Sequence, residues 1–151
     1  TVDQPLALAG ELLAEPGPAA PRLHALVAQD VSQLCGSRWN LGALYLLPEL
    51  RTDRFAQFRL RRDELRDRYR SLAAAVIAEC DGSADADDLP FRLVESVINR
   101  RSDDGVCPPE TPWIIADGAV RILGWRGDIA GLRERSAARL ETRREEPAVT
   151  G

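Results

Sequence analysis

The chain has 151 residues, of which 44% are hydrophobic and 29% are charged, and its formal net charge is −4. This composition predicts one folded domain over residues 1–151, and the acidic balance gives the whole chain no electrostatic basis for binding nucleic acid. Because no apolar run reaches the roughly 18 residues of a membrane span and no signal peptide is recognisable, we expect a soluble cytoplasmic protein without a membrane partner.

Helical patterns dominate from the amino terminus onward. Residues 4–15 predict a short helix, which ends at a proline-rich loop. A second helix begins near Pro21, a residue suited to a first helical turn, and ends at Gly36. Its apolar residues recur at helical spacing: Leu23, Leu26, Val27, Val31 and Leu34. The Leu-rich residues 39–51 follow, and they predict another short helix that is broken before Pro48.

The longest predicted helix is capped at residues 52–53 and runs to about Cys80. One face of it carries side chains spaced alternately by three and four residues: Phe55, Phe58, Arg62, Leu65, Tyr69, Leu72 and Val76. Two apolar helices are predicted at residues 88–101 and 112–123, and a more polar one at 127–144. Since no segment alternates convincingly between apolar and polar residues, we expect an all-α fold of about six to seven helices.

Residues that support catalysis or metal binding are scarce. The single histidine, His24, has no metal ligand or nucleophile at a suitable spacing, so we interpret it as a structural residue. Cys35, Cys80 and Cys107 are widely spaced and form no CxxC pair, which is typical of small apolar residues in a core. We therefore expect a protein that is not an enzyme and that has no catalytic residues, no metal and no cofactor.

Two charged residues fall inside apolar helix faces. Asp30 lies between Leu23 and Leu26 on a helical wheel, and Arg62 lies within the apolar face of the longest helix. An unpaired buried charge is strongly destabilising, so each residue needs a partner. They could pair with each other or with nearby groups, or lie at the solvent-exposed edge of a wider apolar face. Alternatively, they could be polar anchors in an otherwise apolar ligand cavity.

The order of the elements resembles the C-terminal ligand-binding domain of the tetracycline-repressor (TetR) family of bacterial transcription regulators. The segments that carry the resemblance are QLCGS at 33–37, NLGALYLLPELR at 40–51, RFAQFRLRRDELRDRYRSL at 54–72 and IADGAVRILG at 115–124. The resemblance covers most of residues 1–140. In addition, all 20 basic residues are arginine, which indicates a high-GC genome such as that of an actinobacterium.

The resemblance implies a regulatory domain without its DNA-binding headpiece. Family members carry an N-terminal helix-turn-helix that these residues do not match, so we expect operator DNA to be bound only through a headpiece absent here. The first two long helices and the Leu-rich helix would enclose a small apolar or amphipathic effector that alters DNA affinity. Candidate pocket residues are Asp30, Trp39, Leu44, Tyr45, Phe58, Arg62 and Tyr69.

The resemblance also implies a homodimer, in which the helices at 88–101 and 112–123 form a four-helix bundle with their copies. Candidate interface residues are Val94, Val97, Ile98, Trp113, Ile115, Ala119 and Ile122. These apolar residues are more than one side of a small core needs, which favours a contact with a second chain. The alternative is that they are buried within the chain itself. For the function, the alternative is a helical protein–protein interaction module that binds no small molecule.

Overall fold

The computed structural model describes residues 3–36, 53–104 and 107–145. Those ranges contain six α-helices and no strand, which confirms the predicted all-α class. The helices are α1 (Asp3–Ala14), α2 (Ala19–Gly36), α3 (Asp53–Cys80), α4 (Leu89–Asp104), α5 (Thr111–Ile122) and α6 (Ile129–Glu145), with a short 3-10 helix at Ala84–Ala86. The helix predicted over residues 39–51 lies outside the described residues.

Helix ends follow from local residue chemistry. Pro112 lies in the first turn of α5, where a missing N–H has no cost. Gly124, with φ of 103°, follows the last turn of α5 in a conformation that L side chains rarely adopt. Asp128 then starts α6, because its carboxylate accepts hydrogen bonds from the amides of Ala130 and Gly131, both at 3.1 Å.

The core is built around α2, which packs against each of the other five helices. The apolar residues predicted for its buried face include four with 0% exposure: Leu23, Leu26, Val27 and Val31. From residue 65 onward, the face predicted for α3 is confirmed by the burial of Leu65, Tyr69, Leu72 and Val76. Each buried side chain of this size stabilises the fold by roughly 1.5–3 kcal/mol relative to exposure, so the two faces fix how α2 and α3 pack.

Among the described helices, none combines the length and the apolar character that crossing a membrane requires.

Candidate functional site

Asp30 and Tyr69 form a hydrogen bond in the core. The Tyr69 hydroxyl, on α3, donates to Oδ2 of Asp30, on α2, at 2.7 Å. Asp30 is only 5% exposed and Tyr69 is fully buried. Burial raises the pKa of Asp30 to about 6, against the opposing effect of the Tyr69 hydrogen bond. The chain therefore keeps a carboxyl group in apolar surroundings, where its charged form is disfavoured.

Arg62 lies beside this pair and has its own carboxylate partner. Its Nε donates to Oε2 of Glu95, on α4, at 2.9 Å. The guanidinium also lies 5.5 Å from the centroid of the Phe91 ring, and that ring lies 5.3 Å from the ring of Tyr69. The two charges that the sequence places on apolar faces are thus satisfied by nearby groups, Tyr69 for Asp30 and Glu95 for Arg62, and neither lies in open solvent.

The predicted pocket residues are only partly described by the structure. It brings Asp30, Tyr69 and Arg62 into one cluster through the ring of Phe91, a residue that the sequence did not assign to the site. The backbone of Phe58 lies in α3, but its side chain is outside what the structure describes. Three further pocket residues are outside the described residues altogether: Trp39, Leu44 and Tyr45.

A second polar network surrounds His24, which is fully buried in α2. Its Nδ1 lies 2.6 Å from Oγ of Ser136, on α6, and its Nε2 lies 2.9 Å from Oδ1 of Asp117, on α5. Trp113 stacks on the imidazole at 5.8 Å between ring centroids. Arg133 donates to the other Asp117 oxygen from Nε at 3.0 Å. The network joins three helices, as expected of a structural histidine.

Burial lowers the pKa of His24 and outweighs the Asp117 carboxylate, which acts in the opposite direction. The imidazole is therefore neutral near pH 7, so one ring nitrogen donates a hydrogen bond and the other accepts one. The sequence places His24 within a predicted helix, but Asp117 and Ser136 are 93 and 112 residues away along the chain. No local pattern could have identified these partners.

Serine, histidine and aspartate are also the residues of a hydrolytic triad, but this network lacks what catalysis needs. Ser136 and His24 are both 0% exposed, so no substrate can reach the hydroxyl or the imidazole. In the described part of the chain, no group of three or more His, Cys, Asp or Glu side chains could hold a metal ion. The arrangement is consistent with a fold-stabilising hydrogen-bond network.

The predicted dimer residues differ in exposure. Three of them lie in the chain's own core, with exposures of 3%, 1% and 0%: Val94, Val97 and Ala119. Three others are half-buried: Ile98, Trp113 and Ile115. At the first three positions the structure favours the alternative of intramolecular burial, and the others are available in part to a second chain.

One face of α5 is apolar and open to solvent. Ile122 is 44% exposed, and Ile114, on the same helix, is 57% exposed. Gly118 lies between them at four-residue spacing, and nothing lies within 4 Å of the position a Cβ would take there. These three residues, called the α5 stripe below, form a surface onto which another helix could pack closely.

A comparison with solved structures finds a close relative of this chain. No family model matches the chain, and neither does any curated protein. A solved structure, the crystal structure of Mycobacterium smegmatis AmtR, is 72% identical, with a TM-score of 0.87 over 93% of this chain and 68% of that chain. Its mycobacterial source agrees with the actinobacterial origin that the arginine usage predicts.

Proposed function

Because the chain belongs to the tetracycline-repressor (TetR) family of transcription regulators, as Mycobacterium smegmatis AmtR does, we propose that it senses an effector and dimerises within such a regulator. This is a family of regulators and not of enzymes. In the proposal, a small molecule bound in this domain changes the operator affinity of a helix-turn-helix headpiece that is additional to these residues. Such a regulator works on DNA in the cytoplasm.

The observation that carries the effector proposal is the buried carboxyl group of Asp30. Burial disfavours its charged form, and a positively charged group of an effector placed beside it would offset that cost. Tyr69 and Phe91 supply aromatic surface next to it. The chemistry suits an amphipathic effector with an apolar body and a protonated amine or another hydrogen-bond donor directed at Asp30.

A thermal-shift screen tests this proposal. The panel consists of small amphipathic amines, with apolar molecules of the same size that lack the amine. A ligand at 100 times its dissociation constant stabilises the folded protein by ~2.7 kcal/mol, a shift that is easily measured. Asp30→Asn should abolish the response to amines. Asp67→Asn, which removes an exposed negative charge from α3, should leave the response intact.

An amine that stabilises both variants equally would remove Asp30 from the site. A complete panel without any stabilising compound would instead favour the alternative, a helical module that binds a protein partner and no small molecule.

The dimer proposal depends on the α5 stripe. An exposed apolar stripe with a glycine at its centre permits close approach of a second helix, and a two-fold axis would pair the stripe with its own copy. We place α4 beside it, through Ile98, so that two helices from each subunit form the four-helix bundle. A soluble monomer would have little reason to expose both Ile114 and Ile122 on one face of the same helix.

Light scattering on the purified chain at micromolar concentration tests the dimer. The wild type should have twice the mass of one chain, and Ile114→Arg with Ile122→Arg should have the mass of a single chain. The matched control is Leu60→Arg, since Leu60 is 68% exposed on a different helix, α3. A monomeric wild type, or a dimer that survives both α5 substitutions, would contradict the proposal.

In a dimer, effector binding would change operator affinity by changing the distance between the two headpieces. Two headpieces must lie roughly 34 Å apart to occupy successive major grooves. An effector that binds one arrangement of the subunits better than the other favours that arrangement by its difference in affinity, typically ~1–3 kcal/mol.

A further inference from the structure

The carboxyl-terminal helix α6 carries two arginines that contact α1. Arg139 pairs with Glu15, and Arg143 pairs with both Glu15 and Glu11. The partners are separated by 124 to 132 residues, so these ion pairs connect the two ends of the described chain. The Arg143 and Glu15 side chains are 23% and 33% exposed, which shields their interaction partly from solvent.

Two more arginines hold α1 from its other sides. Arg22, on α2, donates to the main-chain oxygen of Leu12 at 2.9 Å, a carbonyl in the last turn of α1 that lacks an intrahelical partner. It also donates to the main-chain oxygen of Gly17, in the loop after α1, at 3.0 Å. Arg68, on α3, donates to the main-chain oxygen of Leu6 at 2.5 Å. The position of α1 is therefore fixed by polar contacts from three helices, in addition to its apolar packing.

The first half of α6 is fixed to α2 and α5. Arg133 contacts Asp117 of α5, and Ser136 contacts His24 of α2. The contact positions follow one another at intervals of three or four residues, which places them on one helix face: Leu132, Ser136, Arg139 and Arg143. This face of α6 contacts α2 through Ser136 and α1 through the two arginines, and Arg133, at the side of the face, adds the contact with α5.

We propose that α6 is a positioning strut, in which Arg139 and Arg143 set the orientation of α1 relative to α5. This inference rests on the proposed function, in which α5 lies at the dimer contact and α1 follows the DNA-binding headpiece. If α1 turns relative to α5, the separation of the two headpieces changes, and so does operator affinity. Arg139 and Arg143 act through α1 and are therefore positioning residues.

Hydrogen–deuterium exchange on this chain tests the strut without any DNA. In Arg139→Gln with Arg143→Gln, the amides of α1 should exchange about three- to tenfold faster, the range expected when two or three partly exposed ion pairs are lost. The amides of α2 should keep their protection, which shows that the variant is folded. The control is Arg100→Gln with Arg135→Gln, which removes the same charge from exposed positions on α4 and α6.

Reversing the pairs provides a rescue. Glu11→Arg and Glu15→Arg, combined with Arg139→Glu and Arg143→Glu, should restore slow exchange in α1, because the geometry of the pairs is kept while their signs are exchanged. Unchanged exchange in the glutamine variant, or a failed rescue with α2 still protected, overturns the proposal.

Operator binding by the intact regulator tests the consequence for function. The glutamine variant should bind operator about three- to tenfold more weakly than the control variant at the same salt concentration. Loosening of α1 with unchanged operator affinity would overturn the strut's role in DNA binding. If the wild type and the control bind no operator, the proposed function fails, and the exchange experiment still decides whether α6 positions α1.

Discussion

Replacing Asp30 with asparagine should stabilise the protein at neutral pH and have little effect near pH 4. The pKa of Asp30 is raised from its ordinary value of 3.8 to about 6 by burial. Between these two values the folded chain binds more protons than the unfolded chain, so the free energy of unfolding decreases as the pH rises. At ~1.4 kcal/mol for each pH unit, the interval corresponds to a loss of about 3 kcal/mol, complete above pH 6.

Asparagine cannot ionise, and its carbonyl oxygen can still accept the Tyr69 hydrogen bond. Asp30→Asn should therefore recover up to about 3 kcal/mol at pH 7 and almost none at pH 4, where the aspartic acid is protonated in the folded chain. His24, whose pKa is lowered, makes stability rise with pH below its ordinary value of 6.5. That contribution is present in both proteins and cancels when they are compared.

Urea unfolding followed by circular dichroism between pH 4 and pH 7 measures this difference. Asp67→Asn is the control, because Asp67 is exposed on α3 and should show a small difference at every pH. A gain in Asp30→Asn that is the same at pH 4 and pH 7, or a loss at pH 7, would refute the reasoning. Either outcome would mean that the Asp30 carboxylate is not penalised by burial in the folded chain.

Two other substitutions test the buried polar groups. Tyr69→Phe removes the hydroxyl that donates to Asp30, so it should destabilise the protein by roughly 1–3 kcal/mol at pH 7 and by less at pH 4, which the same urea series would measure. Ser136→Ala leaves one nitrogen of His24 without its partner at 2.6 Å and should cost roughly 1–3 kcal/mol, whereas Ser71→Ala, at an exposed position, should be close to neutral in thermal unfolding. Equal losses at the two serines would show that the His24 network contributes little.

The helices could be predicted because their signals are local. The apolar residues of α2 and α3 recur every three or four positions, and Gly36, Pro112 and Gly124 lie at or near helix ends in both the sequence interpretation and the structure. The order of those helices was enough to indicate the TetR family, which the similarity to Mycobacterium smegmatis AmtR confirms.

The candidate site could be predicted only in part. Placing Asp30 on an apolar face identified a charge that needs a partner, but not which partner it has. Tyr69 and Glu95 could not be assigned to Asp30 and Arg62, since helices of the same amphipathic pattern can pack in several registers. The assignment of Val94 and Val97 to an interface had the same difficulty, because an apolar face does not show whether it meets its own chain or a second one.

The sequence by itself determined the helical class, the family and, within the described residues, the approximate extent of the helices and most of their buried faces. Only the tertiary structure decided which side chains meet: Asp30 with Tyr69, His24 with Asp117 and Ser136, and the arginines of α6 with the carboxylates of α1. Helix formation depends on residues within one or two turns of each other. Contacts between residues 39 to 132 positions apart depend instead on how all the buried faces pack at once.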